Sequence, residues 1–340
     1  MKLKTISCIL AASILFAGCS KEKEPTVDKP VNNQSETTGE VNYMYPLTGE
    51  TAEDAARKRP VAVMINNHPK ARPQSGLHQA DIVYELLAEG DVTRFLAIYQ
   101  SEQPEVVGPV RSARDYYIEL AKGLDSIYIC HGYSPEAKEM LDDGYIDNLN
   151  GLFYDGTLFI RDKSRKAPHN SYITFANIET GIEEKSFDTE KQPKGFAFLT
   201  EEEAESLSGE AASSATVKYG SSAFDVTYNY DEAIKQYTRL TNGEQTVDRE
   251  TGEPVLLNNI VVLSAPHHVT DSQGRRDIDF SGGGEAYLLQ QGVWNKIQWK
   301  YEDQRIILMK EGKEAKLVPG KTWVNVIPDQ PGIEANVSFQ

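Results

Sequence analysis

Cysteine is scarce in this chain of 340 residues, with Cys8, Cys19 and Cys130 its three examples. Cys8 lies within an amino-terminal apolar run and Cys19 closes it, so a secreted mature form keeps one free thiol, Cys130, and forms no internal disulfide. Stability must then come from an ordinary hydrophobic core. Long apolar runs are lacking as well. The stretch Ile6 to Phe16 is too short to span a bilayer, and no second one could cross. Positive charge is in deficit: the formal charge is −16, and removal of the first eighteen residues, which carry Lys2 and Lys4 but no acid, deepens it to −18. Such a field argues against nucleic acid as a partner. The catalytic signatures are missing too, with no phosphate loop, no Gly-x-Ser-x-Gly elbow and no His-Glu-x-x-His pair. No cofactor and no metal are expected, and a role other than enzyme is preferred.

What is present begins with an address. Lys2 and Lys4, the apolar run, and Ala17-Gly18-Cys19 follow the order of a secretory signal with a lipobox. Residues 1–18 read as a signal peptide cut before Cys19, whose thiol takes diacylglycerol, with palmitate-type chains, and ties the protein to the outer face of the cell membrane. Acyl chains contribute about 0.8 kcal/mol per buried CH₂, so two or three hold a soluble body at the surface. Residues 19–45 read as a disordered stalk, because polar and proline-rich sequence buries too little to offset ordering entropy.

The remaining residues have the composition of a soluble globular protein, 39% hydrophobic and 25% charged. Apolar runs at Pro60–Asn66, Asp81–Leu87, Val92–Tyr99 and Ile127–Cys130 read as strands. Helical spacing covers Ser112 to Gly123 and a stretch from Ser134 to Leu141. The fold class is therefore α/β: a mixed α/β first domain over 46–200, then a smaller, mostly β domain over 201–340. In the second, short β-prone runs from Thr216 to Ile327 alternate with turns such as Asn242-Gly243.

Three clusters could carry chemistry. Asn66 to Gln74 is a proline-stiffened loop presenting Asn67, His68 and Arg72, suited to a phosphate or carboxylate or else a rigid turn. Gly108 to Asp115 sets Arg111 and Arg114 around Ser112, a candidate helix cap. This is an anion site, unless the arginines pair with Asp81, Glu85, Glu89 or Asp115. Arg161 to Asn170 adds Arg161, His169 and Asn170, and Arg94 supplies a further cation. His68, His131 and His169 either meet as a base or metal site with Glu85 or Asp81, or are hydrogen-bonded separately. Cys130 lies in an apolar strand and reads as core rather than nucleophile.

Several segments together resemble one family: Arg59 to His68, Ala71 to Leu77, Ala80 to Glu85, Thr93-Arg94-Phe95, Gly108 to Arg114, Ala167 to Asn170 and Gly320 to Trp323. They are similar to the YerB family of bacterial lipoproteins. The resemblance implies an α/β first domain and a smaller second domain, and it brings no activity and no catalytic residues. The expected function is a membrane-anchored extracytoplasmic lipoprotein that binds an anionic or polar envelope ligand, a cell-wall polymer or an envelope protein. The alternative is a hydrolase or transferase acting on phosphate-containing wall polymers, with His68 or His169 as base.

Overall fold

Strand far outweighs helix in the computed structural model, which describes residues 43–52 and 58–340. The leader, Cys19 and the stalk as far as residue 42 lie outside the described residues. The centre is a mixed sheet of twelve strands. Val61–Asn66 pairs antiparallel with Val92–Tyr99, which pairs antiparallel with Ile82–Glu89. Ile82–Glu89 then runs parallel to Thr322–Pro328, and that strand runs parallel to Asn259–Ala265. Strands from both sides of residue 200 thus share one hydrogen-bonded sheet. On its far flank come Gly284–Gln290, Val293–Glu302 and Arg305–Lys310, and on the near flank Ile127–Cys130 and Asn148–Asn150.

The period of two along each strand places two cores on opposite faces. Val61, Val63 and Ile65 point into one; Ala62 and Met64 point into the other. The first face is covered by a smaller sheet that includes Ser214–Val217, Val226–Asp231 and Gln236–Thr241, contributing Val217, Val226, Tyr228 and Tyr237. The second carries the helix Asp115–Gly123, which buries Tyr116, Tyr117, Ile118 and Leu120. Each fully buried side chain of this kind contributes about 1.5–3 kcal/mol, which is how a chain without disulfides can hold so wide a sheet. The α/β expectation therefore holds coarsely, and the molecule is mostly β.

Most runs chosen for their apolar pattern are strands. Val92–Tyr99 and Ile127–Cys130 match to the residue. Pro60 stands outside its strand, having no N–H to give, and its carbonyl accepts from Ile127. Ser134 does cap its helix, Pro135–Asp142, through Oγ and the Ala137 N–H. Ser112 is not a cap. The backbone before the helix stays extended, Arg111 N–H donating to Met64 O and Ala113 N–H to Gly132 O, so helix begins three residues later with Arg114 at its N-cap. The helix Phe175–Lys185, whose outer side carries Glu179, Glu183 and Glu184, is an element the sequence reading does not include; it is capped by Thr174 and buries Phe175, Ile178 and Ile182.

Candidate functional site

The strand Val61–Asn66 ends at the densest polar region, and its last residue lies opposite Arg94 across the sheet. The extended segment carrying Arg111 docks beside the same end, Val110 bridging Ile65. Neighbouring backbone thus aims Arg94, Arg111 and Arg114 at a cavity of about 270 Å³, whose walls also include Glu89 and Arg275. Arg94 grips both oxygens of Glu89 at 2.6 Å and donates to Ser112 O; Arg114 donates to Glu89 Oε2 at 2.6 Å. Arg275 pairs with Asp271 at 2.7 Å. Among the described residues the Arg111 guanidinium has no hydrogen bond or ion pair, and it is half-buried rather than sealed.

Four arginines around one carboxylate make this cavity cationic on an acidic protein. Burial, and the charge of Arg94, bring Arg111 down to about 10, still protonated at neutral pH. Burial would raise Glu89, but Arg94 and Arg114 outweigh it and hold its carboxyl below the usual range. The nearby helix end is no second anion site, since its first turn already carries the carboxylate of Asp115.

His68 and His169 lie close by with stacked rings, centroids 4.6 Å apart and planes 25° from parallel. Their tautomers follow from their partners. The Asn66 side-chain oxygen accepts from the His68 backbone N–H at 2.9 Å, so its amide nitrogen faces His169 and donates to Nδ1 at 3.0 Å. His68 Nδ1 accepts from the Lys70 backbone N–H at 3.1 Å. Both rings, when neutral, therefore carry their proton on Nε2. Burial lowers both pKa values, and nearby cations, Arg111 among them, lower them further, so both rings are neutral at pH 7.

His131 stands apart from that pair. Arg161 donates to its Nε2 at 2.8 Å, which leaves Nδ1–H for Ser171 Oγ at 2.8 Å. Its ring lies against Gly151, where a Cβ would come within 2.2 Å of Nδ1. Arg161 is also forked onto Asp155 and donates to Asn170, so Arg161 and Asn170 serve this local network. The three histidines do not converge with Glu85 or Asp81. Asp81 is buried, accepting from Ser101 and the Gln100 N–H. Cys130 is fully buried, its thiol pushed well above the ordinary range by burial.

Asn67 and Arg72 turn inward. Asn67 donates to Glu85 and Thr93 and accepts from Arg72 and Gln74. Arg72 also donates to Ala223 O and lies over the Phe224 ring. These two line a separate cavity of about 360 Å³ together with Arg239. Arg239 pairs with Glu85 at 2.7 Å and stacks on Trp323 at 4.3 Å, wholly out of solvent. Sequence reasoning missed Arg239 and Arg275. Neither stands in a motif, and Arg275 reaches the cleft because Gly274 O accepts from the Gly90 N–H beside Glu89.

Comparisons with known proteins meet this geometry at both ends of the chain. Residues 47–188 match the family described as protein of unknown function (DUF3048), N-terminal domain; residues 215–324 match its C-terminal domain. YerB of Bacillus subtilis (strain 168), named as a lipoprotein, is 47% identical over 287 residues, which span 84% of this chain and 86% of that protein. The crystal structure of YerB from Bacillus subtilis superposes with a TM-score of 0.81 at 46% identity, covering 87% of this chain and 99% of that one. Among the described residues no helix is long and apolar enough to cross a membrane. The chain belongs to the YerB family of lipoproteins, with its paired DUF3048 domains.

Proposed function

We propose that this lipoprotein is held by lipid on Cys19 at the extracytoplasmic face of the cell membrane. There it binds an anionic envelope ligand, a wall polymer or the acidic face of an envelope protein, in the cleft around Arg111. The observation that carries the reading is the Arg111 guanidinium, without a partner among the described residues, in a cavity that those residues line with four arginines and one carboxylate. Holding such charge together is costly, and an anion from outside relieves it. The stalk supplies reach from the membrane, and binding needs no cofactor.

A hydrolase or transferase with His68 or His169 as base fits less well. A base needs a free lone pair, and in both rings that lone pair already accepts an N–H. Replacing Arg111 with methionine tests the binding role. The Arg111→Met full-length protein should no longer cosediment with isolated wall material, while its melting curve stays in place; undiminished cosedimentation would sink the proposal. Mass spectrometry of the native protein should find an acylated cysteine at the amino terminus, and an unmodified Met1 would remove the anchor.

A further inference from the structure

We infer that the other end of the central sheet carries a second docking site, an apolar groove with an acidic rim that takes a short basic segment of a partner protein. This end lies opposite the Arg111 cleft. Val61 and Ile127 begin neighbouring parallel strands there, and Tyr99 ends the strand paired antiparallel with Val61. The helix Phe175–Lys185 completes a groove of about 460 Å³, within the range of about 300–1,000 Å³ usual for binding sites. Its floor is apolar, formed by Val61, Ile127, Phe175, Ile178 and Ile182. The opening is narrow. These side chains keep at most 9% of their surface exposed, so the floor meets one or two apolar side chains rather than the whole face of a helix.

Charge decides the occupant. Glu179 and Glu183 border the groove one helical turn apart, about 6 Å along the axis at 1.5 Å per residue. Beyond the helix, Arg59 N–H donates to Thr189 O at 2.8 Å, which brings Glu190 to the same rim. All three carboxylates are exposed, and among the described residues none forms an ion pair or a side-chain hydrogen bond. Against them stand Lys58 and Arg59, and Arg59 is already committed to Asp147 and the Asp125 carbonyl. Like charges four residues apart on a helix repel, so this surplus selects a cationic occupant with an apolar side chain for the floor. A single ammonium group cannot face carboxylates spread along a helical turn and the segment beyond it. A peptide with two or three lysines or arginines around a large apolar residue can. A second copy of this chain is a poor occupant, because it brings the same acidic field, a formal charge of −16. The groove shares no lining residue with the Arg111 cleft, so the two sites stand or fall separately.

The test uses the full-length lipoprotein in non-ionic detergent micelles, titrated calorimetrically with empty micelles as the blank. The probes are acetyl-Lys-Leu-Phe-Lys-Lys-amide, its acidic counterpart acetyl-Glu-Leu-Phe-Glu-Glu-amide, and acetyl-Lys-Ser-Ser-Lys-Lys-amide, which lacks the apolar pair. The basic Leu-Phe peptide should bind at least about tenfold more tightly than either control, and its affinity should fall as salt is raised. The triple variant Glu179→Gln, Glu183→Gln, Glu190→Gln should bind it about tenfold more weakly, the combined effect of three exposed ion pairs. Its melting curve should stay in place, because those side chains have no partners to lose. A photoreactive leucine in the basic peptide should crosslink to the helix Phe175–Lys185 or to the strand ends that floor the groove, which keeps the test decisive if the triple variant does not fold. Absence of binding by the basic Leu-Phe peptide, equal binding by either control, undiminished binding by the triple variant, or crosslinks elsewhere overturns the inference. A dimer in sedimentation whose copies crosslink through the groove overturns it as well, by assigning the groove to a second copy.

Discussion

Two arginine–carboxylate clusters in this molecule stand at different stages of completion. At Glu85 one buried carboxylate receives four donors, from Asn67, Thr93, Arg239 and Trp323, and the single arginine bound to it lies against two touching aromatic rings, Phe95 and Trp323. At Glu89 one carboxylate serves both Arg94 and Arg114, and Arg111 beside them has no partner among the described residues. The first cluster spends every charge on the fold. The second keeps a surplus on an accessible wall. Charge balance, rather than the presence of arginine, separates a structural network from a candidate site, because an uncompensated half-buried cation persists only where something else stabilises it.

The comparison can be broken most directly at its buried member. Glu85→Gln leaves Arg239 uncompensated in the interior and should cost about 3–5 kcal/mol in chemical denaturation; a loss under about 1 kcal/mol would mean that Glu85 does not hold the two sheets together. Glu89→Gln should cost less, about 1–3 kcal/mol, because Glu89 stands on the cavity wall with part of its side chain in solvent, although Arg94 and Arg114 are buried. Among the described residues Glu89 is the only carboxylate lining the cavity, so the same change should raise the amount of protein that cosediments with anionic wall material; a fall would make Glu89 part of the receptor.

Acid sharpens the contrast. The Glu89 carboxyl is held low in the folded state, so its stabilisation is complete above the unfolded value near 4.5 and is lost as pH falls through the folded value. Melting curves of the Glu89→Gln protein should therefore decline less steeply below pH 4.5 than those of the unaltered chain. The smallest effect is expected at Arg111. Its replacement by methionine should change stability by no more than about 0.5 kcal/mol, as at a site without structural partners, and a larger loss would move Arg111 into the structural class with Arg239.

The strands were legible because a strand buried on both faces writes itself as a continuous β-branched and aromatic run, as in Val92–Tyr99. The helix Phe175–Lys185 was not, since its outer face belongs to a run of carboxylates that masks the spacing of Phe175, Ile178 and Ile182. Among the polar residues, type alone could not sort Arg72 from Arg111. Both follow stiff loops, yet Arg72 finds Asn67 and Ala223 O while the Arg111 side chain finds no partner among the described residues. The partners that decide such questions lie far along the chain, Arg239 being 154 residues from Glu85.

The order of residues by itself determined the lipobox-like start, the acidic balance, the strand-forming runs and the cations available to a site, because these depend on composition and on neighbours a few positions apart. Tertiary structure alone decided that both halves share one sheet, that His68 meets His169, and that Glu85 rather than Arg111 receives a full set of partners. Those outcomes depend on which distant groups pack together, and ion pairing and hydrogen bonding are set by distance in space, which no local pattern encodes.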